Sequence, residues 1–251
     1  MAVREAEADG ELQAAAWLRA LSFYRYPEER KFAAQVHRTM VAEEEVKALK
    51  AARMARRLGD AATSGERTTC LVALCPAAVL QAADGQPLDE QLVVQSGGSS
   101  GSSAATLAAG GMRERAAAAA LAAAEAAGEP LAVVGTLDLY AARAMPGEVL
   151  IGDSRNAAYL ANVCTAPQAR RRGVGNALLA AARELAVSWG TEALYVHTMA
   201  VNEIAVRFYE RAGFVVEKEE TSNQAHYRGR CLDGIEGRGR TVLLRDTRLR
   251  G

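Results

Sequence analysis

The hydrophobic and polar positions fall into short blocks whose period switches repeatedly between that of a helix and that of a strand. Residues 3–6 suit a short strand ahead of Asp9-Gly10. Between about positions 11 and 24, Leu12, Ala15, Ala16, Leu18 and Leu21 recur at helical spacing and predict one amphipathic helix. Pro27 breaks that pattern. Glu28 and Glu29 suit the positive end of a second helix reaching about position 58, with Phe32, Val36 and Met40 at i, i+4 and Val46 and Leu49 downstream. The run Glu43-Glu44-Glu45 reads as a solvated face, with Lys47 and Lys50 near enough for i, i+3 or i, i+4 pairing.

RTTCLVALCPAAV (67–79) and LAVVGTLDLYAA (131–142) are apolar and rich in β-branched residues, and predict strands. Between about 80 and 130 the pattern lapses. GGSSGSS (97–103) has linker composition, and the alanine tract after Arg115 offers few large side chains to pack. This stretch is expected to be a disordered or transiently helical insertion. The expected layout is an N-terminal half at 1–79, the insertion at 80–130 and a C-terminal half at 131–251, forming a single domain. Within the last part, 159–165 and 193–199 predict strands. A helix opened at 170–175 has Leu178, Leu179, Ala182, Leu185 and Ala186 on one face and ends at Gly190. A second helix lies in 202–214, stopped by Gly213. Phe214 starts a strand, a Gly/Arg-rich loop runs from about 221 to 240, and 241–249 closes as a strand. Interleaved helices and strands place the chain in the α/β or α+β class.

Composition narrows this further. Half of the 251 residues are hydrophobic but only 5% are aromatic, so the core rests on the leucine, valine, isoleucine and phenylalanine positions. Lys+Arg and Asp+Glu are 30 each, which supplies no global basic field for nucleic acid or an anionic membrane. No apolar run approaches the roughly 18–20 residues of a spanning helix. The acidic start MAVREAEADGEL is expected to be neither a secretory signal nor a transit peptide. Cysteines stand at 70, 75, 164 and 231 without a CxxC, and His37, His197 and His226 show no metal spacing, so reduced thiols and no metal are expected in an intracellular or intra-organellar chain. Four of the 30 basic residues are lysines (Lys31, Lys47, Lys50, Lys218), leaving 30 − 4 = 26 arginines. A GC-rich genome and guanidinium recognition of anions both explain such a bias, so single arginines count by position.

Position singles out Arg170-x-x-Gly173-x-Gly175, set between a strand and a helix. Glycines at such a turn let a phosphate approach the backbone, where amides of the first helical turn and the dipole hold it. Arg170, Arg171 and Arg172 add side-chain forks. The motif lacks GK[ST], and Leu178 stands where a third glycine of G-x-G-x-x-G would be, which argues against a P-loop and a dinucleotide site.

Asn202 comes 27 residues after Gly175, and then come Ala205, Phe208-Tyr209 and Gly213-Phe214. In order and spacing, the stretch from Tyr159 through Phe214 resembles the GNAT superfamily of acyl-CoA-dependent N-acetyltransferases. VCTAPQARRRGVGNALL is similar to its pyrophosphate motif and NEIAVRFYERAGF to its next helix motif. LQAAAWLRALSFY, the long second helix and the tail SNQAHYRGRCLDGIEGRGRTVLLR resemble the plant and algal plastid branch. The resemblance implies the GNAT fold, a mixed and mostly antiparallel sheet splayed where acetyl-CoA binds, with flanking helices. It also implies acetyl-CoA as acetyl donor, a chloroplast stroma address (the alternative being cytoplasmic), and a protein or peptide amine as partner.

The same resemblance implies the residue roles. Val163, Cys164 and Thr165 would hold the pantetheine arm at a strand bulge, with a backbone amide polarising the thioester carbonyl. Arg170, Arg171, Arg172, Gly173, Val174, Gly175 and Asn176 would hold the pyrophosphate. Tyr209 matches the general acid: a phenol of pKa near 10 stays protonated at neutral pH. It also reads as a packing tyrosine. Asn202 matches the residue that bonds the CoA arm, and reads equally as a helix N-cap. The strand at 159–165 carries no carboxylate, so the base is sought in His197 with Tyr159, a pair similar to that of some protein N-terminal acetyltransferases. His197 also reads as a satisfied strand histidine. The implied reaction is acetylation of protein N-terminal α-amines, with lysine ε-amines as a further class. A polyamine-type small-molecule acetyltransferase and a non-catalytic acyl-CoA sensor are the alternatives.

Overall fold

A computed structural model describes residues 1–24, 28–58, 67–81, 88–95, 112–141, 156–221 and 240–249. They belong to two compact units. One takes Met1–Leu58, Thr69–Asp138 and Asn162–Glu184, the other Gly59–Thr68, Leu139–Ala161 and Leu185–Gly251. The boundaries expected at 79 and 130 therefore bound neither unit.

In the first unit β1 (Ala2–Glu5) pairs antiparallel with β2 (Arg67–Pro76), Val3 facing Ala73 and Glu5 facing Leu71. Next to β2 lies β4 (Leu131–Ala141), and the short β3 (Val93–Val94) pairs with β4 through Val93 and Ala132. β2 and β4 are buried on both faces, which is why they read as continuous apolar runs rather than alternating ones. Helix α1 (Asp9–Phe23) packs on α2 (Lys31–Leu58); α3 (Ala77–Gln81) comes directly after β2, and α4 (Met112–Ala126) lies against β1.

The face of α2 differs from the expected one. Phe32, Val36 and Met40 are 85%, 45% and 59% exposed. The inward line runs instead through Ala42, Glu45, Leu49, Arg53 and Arg56, and charges orient it. Glu45 meets Arg19 at 3.1 Å, Lys50 and Arg53 meet Asp9 at 2.6 and 2.5 Å, and Arg56 meets Glu5 at 3.0 Å. Lys50 and then Arg53 hold the Asp9 carboxyl below its ordinary range. Of the acidic run, only Glu44 makes the expected local pair, with Lys47 at 2.7 Å. A hydropathy pattern cannot report a helix face chosen by ion pairs.

The described residues of the 80–130 stretch include a turn and a helix. Asp89 caps a 3₁₀ turn at Glu90–Leu92 and accepts a hydrogen bond from Trp17 Nε1 at 2.9 Å. Leu92 and Leu121 are buried, and Glu125 pairs with Arg4 at 2.7 Å. Leu121 and Ala124 give this alanine helix a buried face, and the Arg4–Glu125 pair ties it to β1.

The start of helix α5 (Val174–Ser188) packs closely on β4 at Gly135. A Cβ there would stand 2.6 Å from Val174 Cγ1 and 2.9 Å from Leu178 Cδ1, both buried. Gly135→Ala is therefore expected to cost about 1–3 kcal/mol by overpacking, read by urea denaturation. A loss below about 0.5 kcal/mol, the usual size of a change at an unconstrained position, would show that the helix start yields freely.

In the second unit β5 (Ala157–Thr165) runs parallel to β6 (Ala193–Met199), Tyr159 facing Tyr195. β8 (Thr241–Asp246) pairs antiparallel with β6, His197 facing Leu243. β7 (Phe214–Glu220) pairs antiparallel with β8 through a register shift at Glu217 that brings Glu220 opposite Thr241. Helix α6 (Glu203–Arg211) packs on β7. β4 and β5 contribute residues to both units. The class is thus mixed α/β, with four antiparallel pairings and one parallel among those described. Positions 222–239, including His226 and Cys231, lie outside the described residues.

Candidate active site

In the first unit the strand-to-helix segment has the backbone that the glycine motif predicts. Asn162 sits within β5 at φ 53°, a left-handed conformation that interrupts the strand just before Val163. Ala166 then donates to the Val134 carbonyl at 2.9 Å, and a 3₁₀ turn at Pro167–Ala169 leads to the arginines. Arg171 has φ 62° and Gly173 φ 83°. Nothing lies within 4 Å of where a Gly173 Cβ would stand, so glycine is required there by conformation and not by crowding. A left-handed arginine is uncommon, and such backbone strain clusters at binding loops.

The first intrahelical bond of α5 is Ala177 N–H to the Gly173 carbonyl at 3.0 Å. The amides of Val174, Gly175 and Asn176 precede it and face out of the helix end. No acidic side chain sits in that first turn, and Arg170, Arg171 and Arg172 are exposed around it. Left-handed loop, open amides and three guanidinium groups suit a pyrophosphate.

Cys164 is buried, and burial pushes its thiol up to about 12, with Arg19 pulling weakly the other way; Cys70 is raised likewise to about 12. Neither supplies a thiolate at neutral pH. Iodoacetamide at pH 8 is expected to leave both unlabelled in the native protein and to label both after denaturation, as read by peptide mass mapping. Native labelling of Cys164 would contradict its burial.

In the second unit Tyr159 and His197 come together. Tyr159 pairs in register with Tyr195, so His197, two residues further on β6, shares its face. Tyr159 Oη lies 2.9 Å from His197 Nδ1. Behind the imidazole, His197 Nε2 stands 3.8 Å from Glu220 Oε2, which accepts from Thr241 Oγ1 at 2.8 Å. With the proton on Nε2, the side of the carboxylate, Nδ1 accepts the Tyr159 hydroxyl. Burial of both His197 and Glu220 strengthens such a line of polar groups. Sequence reasoning missed Glu220, because the run Glu217-Lys218-Glu219-Glu220 looks like a solvated edge. The signal was the continuation of β7 through a bulge, which turns its last residue inward.

Tyr209 is 5% exposed on α6, its ring 5.1 Å from Phe208 and 5.5 Å from Phe214. Asn202 is the N-cap of that helix, its Oδ1 accepting from Ala205 N–H at 3.2 Å. Capping uses the acceptor oxygen, and the Nδ2 donors are the group a ligand would meet. Among the described residues, no three His, Cys, Asp or Glu side chains cluster as a metal site requires, and no helix is long and apolar enough to cross a membrane.

Residues 99–214 match the family described as Acetyltransferase (GNAT) family. GCN5-related N-acetyltransferase 7, chloroplastic, of Arabidopsis thaliana is 39% identical over 108 residues, which cover 41% of this chain and 39% of that protein. GCN5-related N-acetyltransferase 6, chloroplastic, from the same plant is 34% identical over 99 residues, 34% of each. The chain thus spans two fifths or less of these relatives. The solved ribosomal-protein-S18-alanine N-acetyltransferase of Escherichia coli is 19% identical with a TM-score of 0.34, over 46% of this chain and 64% of that one. Residues 99–214, the segment that carries the strained arginine loop, the Tyr159–His197 pair and Tyr209, are thus similar to the GNAT family of acetyltransferases.

Proposed function

We propose that the protein transfers an acetyl group from acetyl-CoA to protein amines in the chloroplast, N-terminal α-amines first and lysine ε-amines as a second class. The observation that carries this reading is the Tyr159–His197 hydrogen bond of 2.9 Å backed by the Glu220 carboxylate. It is an arrangement suited to taking a proton from an amine that must be neutral to attack. An α-amine, with a pKa of about 7.7–8.0, needs little such help and a lysine, at about 10.4, needs much more. The chloroplast assignment rests on the names of the two Arabidopsis relatives.

Acetyl-CoA, when bound, supplies an activated acyl carbon. The α5 amides of Val174, Gly175 and Asn176 and the guanidinium groups of Arg170–Arg172 hold its diphosphate. The backbone of Val163 and Thr165, with Cys164 between them, orients the thioester arm and donates to its carbonyl oxygen. Asn202 contributes its Nδ2 donors to the same arm. His197 accepts the amine proton through Tyr159 or an ordered water, while Glu220 stabilises the imidazolium. Tyr209 returns a proton to the departing sulfur.

A three-way competition tests the substrate class. A peptide with a free α-amine, an N-terminally blocked peptide with one lysine, and spermidine are offered together, and products are mapped by tandem mass spectrometry. The α-amine peptide is expected to be acetylated fastest. Turnover confined to spermidine would move the protein to the small-molecule acetyltransferases.

A further inference from the structure

Three polar residues of the first unit form a chain, buried at Arg19 and Asp138, that ends at the interruption in β5. Arg19, on α1, is 2% exposed. Its Nη2 donates to Asp138 Oδ1 at 2.6 Å and to Thr136 Oγ1 at 3.2 Å. The second Asp138 oxygen, Oδ2, accepts from Asn162 Nδ2 at 2.7 Å. Asn162 is the residue at φ 53°. A carboxylate shared between a guanidinium and an amide is held on both oxygens by charge-assisted bonds, so its position is set on two sides.

The conformation of Asn162 bears on how the backbone of Val163, Cys164 and Thr165, the last three residues of β5, is aimed. The buried positions Ala158, Leu160 and Cys164 keep one parity across Asn162, so the left-handed residue turns the peptide groups locally without exchanging the faces of the strand. Were Asn162 to return to ordinary extended backbone, the Val163 and Thr165 amides would be aimed differently. Asparagine tolerates the left-handed region, but tolerance alone does not hold it there.

We propose that Arg19 and Asp138 are positioning residues for acetyl-donor binding: through Asn162 they lock the bulge that aims the Val163 and Thr165 amides. The inference rests on the donor-binding role proposed above for residues 163–165. It assigns a role to residues far earlier in the chain that neither the glycine motif nor the helix motif contains.

The test varies Asn162 alone, so that the Arg19–Asp138 pair and with it the fold are retained. Asn162→Gly keeps the left-handed backbone without the side chain. Asn162→Ala opposes that backbone. Asn162→Asp tolerates it but sets an acceptor against the Asp138 carboxylate. CoA affinity is measured by calorimetry, and amide hydrogen exchange is monitored in the peptide covering β5 with no CoA present. All three variants lack the amide that Asp138 holds, so each is expected to weaken CoA binding about tenfold and to speed exchange at 163–165, alanine most because it also opposes the left-handed backbone. A glycine or aspartate variant matching the parent in both readouts would overturn the link to Asp138. If the parent protein binds no CoA, the donor-binding reading fails, while exchange still decides whether the lock exists.

Discussion

Tyr209→Phe is expected to lower kcat by about a hundredfold or more, the range for losing a positioned general acid, with the KM for acetyl-CoA little changed. The substitution removes one oxygen and keeps the ring, which packs between Phe208 and Phe214. The thermal midpoint should therefore stay within a few degrees of the parent's. That split between kcat and stability separates the two readings of this tyrosine. A packing residue would tolerate phenylalanine in both respects. Full kcat in the variant would assign the proton of the departing thiolate to another group.

Asp138→Ala is the variant with the largest expected effect on stability, a loss of about 3–5 kcal/mol in urea denaturation. Burial works against the Arg19 charge, yet its neighbours, Asp138 foremost, together hold the guanidinium pKa above its ordinary value. Removing the carboxylate leaves that charge to Glu45, a partly exposed partner at 3.1 Å. The asymmetry between breaking and replacing a buried pair gives the control. Arg19→Met combined with Asp138→Leu is expected to recover most of the loss, because it removes both charges and fills their volume. A single variant costing under about 1 kcal/mol, the size of an exposed pair, would show that the charge reaches water. In the recovered double variant the Asn162 anchor is absent, so restored stability with weakened CoA binding would separate the two roles of the cluster.

Much of this was legible in the residues, for physical reasons that differ by element. The strands at 67–76, 131–141 and 193–199 are short, mostly apolar and contain β-branched residues, and they are buried along most of their length. The glycine motif was legible because a left-handed turn before a helix constrains residue type locally, and Gly173 meets that constraint. Pairing of Tyr159 with His197 was anticipated through a resemblance; the parallel register of β5 on β6 then supplies its geometry. The rest depended on contacts between distant residues. The face of α2 is chosen by Asp9 and Glu5, some 40 to 50 positions away, and a periodicity that counts Phe32, Val36 and Met40 cannot see them. Leu121 docks an alanine tract that composition alone reads as disordered. Glu220 turns inward only because β7 carries a bulge. The Arg19–Asp138–Asn162 chain joins three elements, and no local pattern marks any of its members.

Direct, amine-dependent acetyl transfer is the reaction proposed for these residues. Its most direct measurement tracks free thiol and acetylated peptide together when the protein is mixed with acetyl-CoA and a peptide bearing a free α-amine. One thiol should be released for each acetyl amide formed, with no release in the absence of peptide and no acetyl group retained on Cys164. Tight CoA binding with no amine-dependent release of thiol would contradict direct transfer and make the protein an acyl-CoA-binding module.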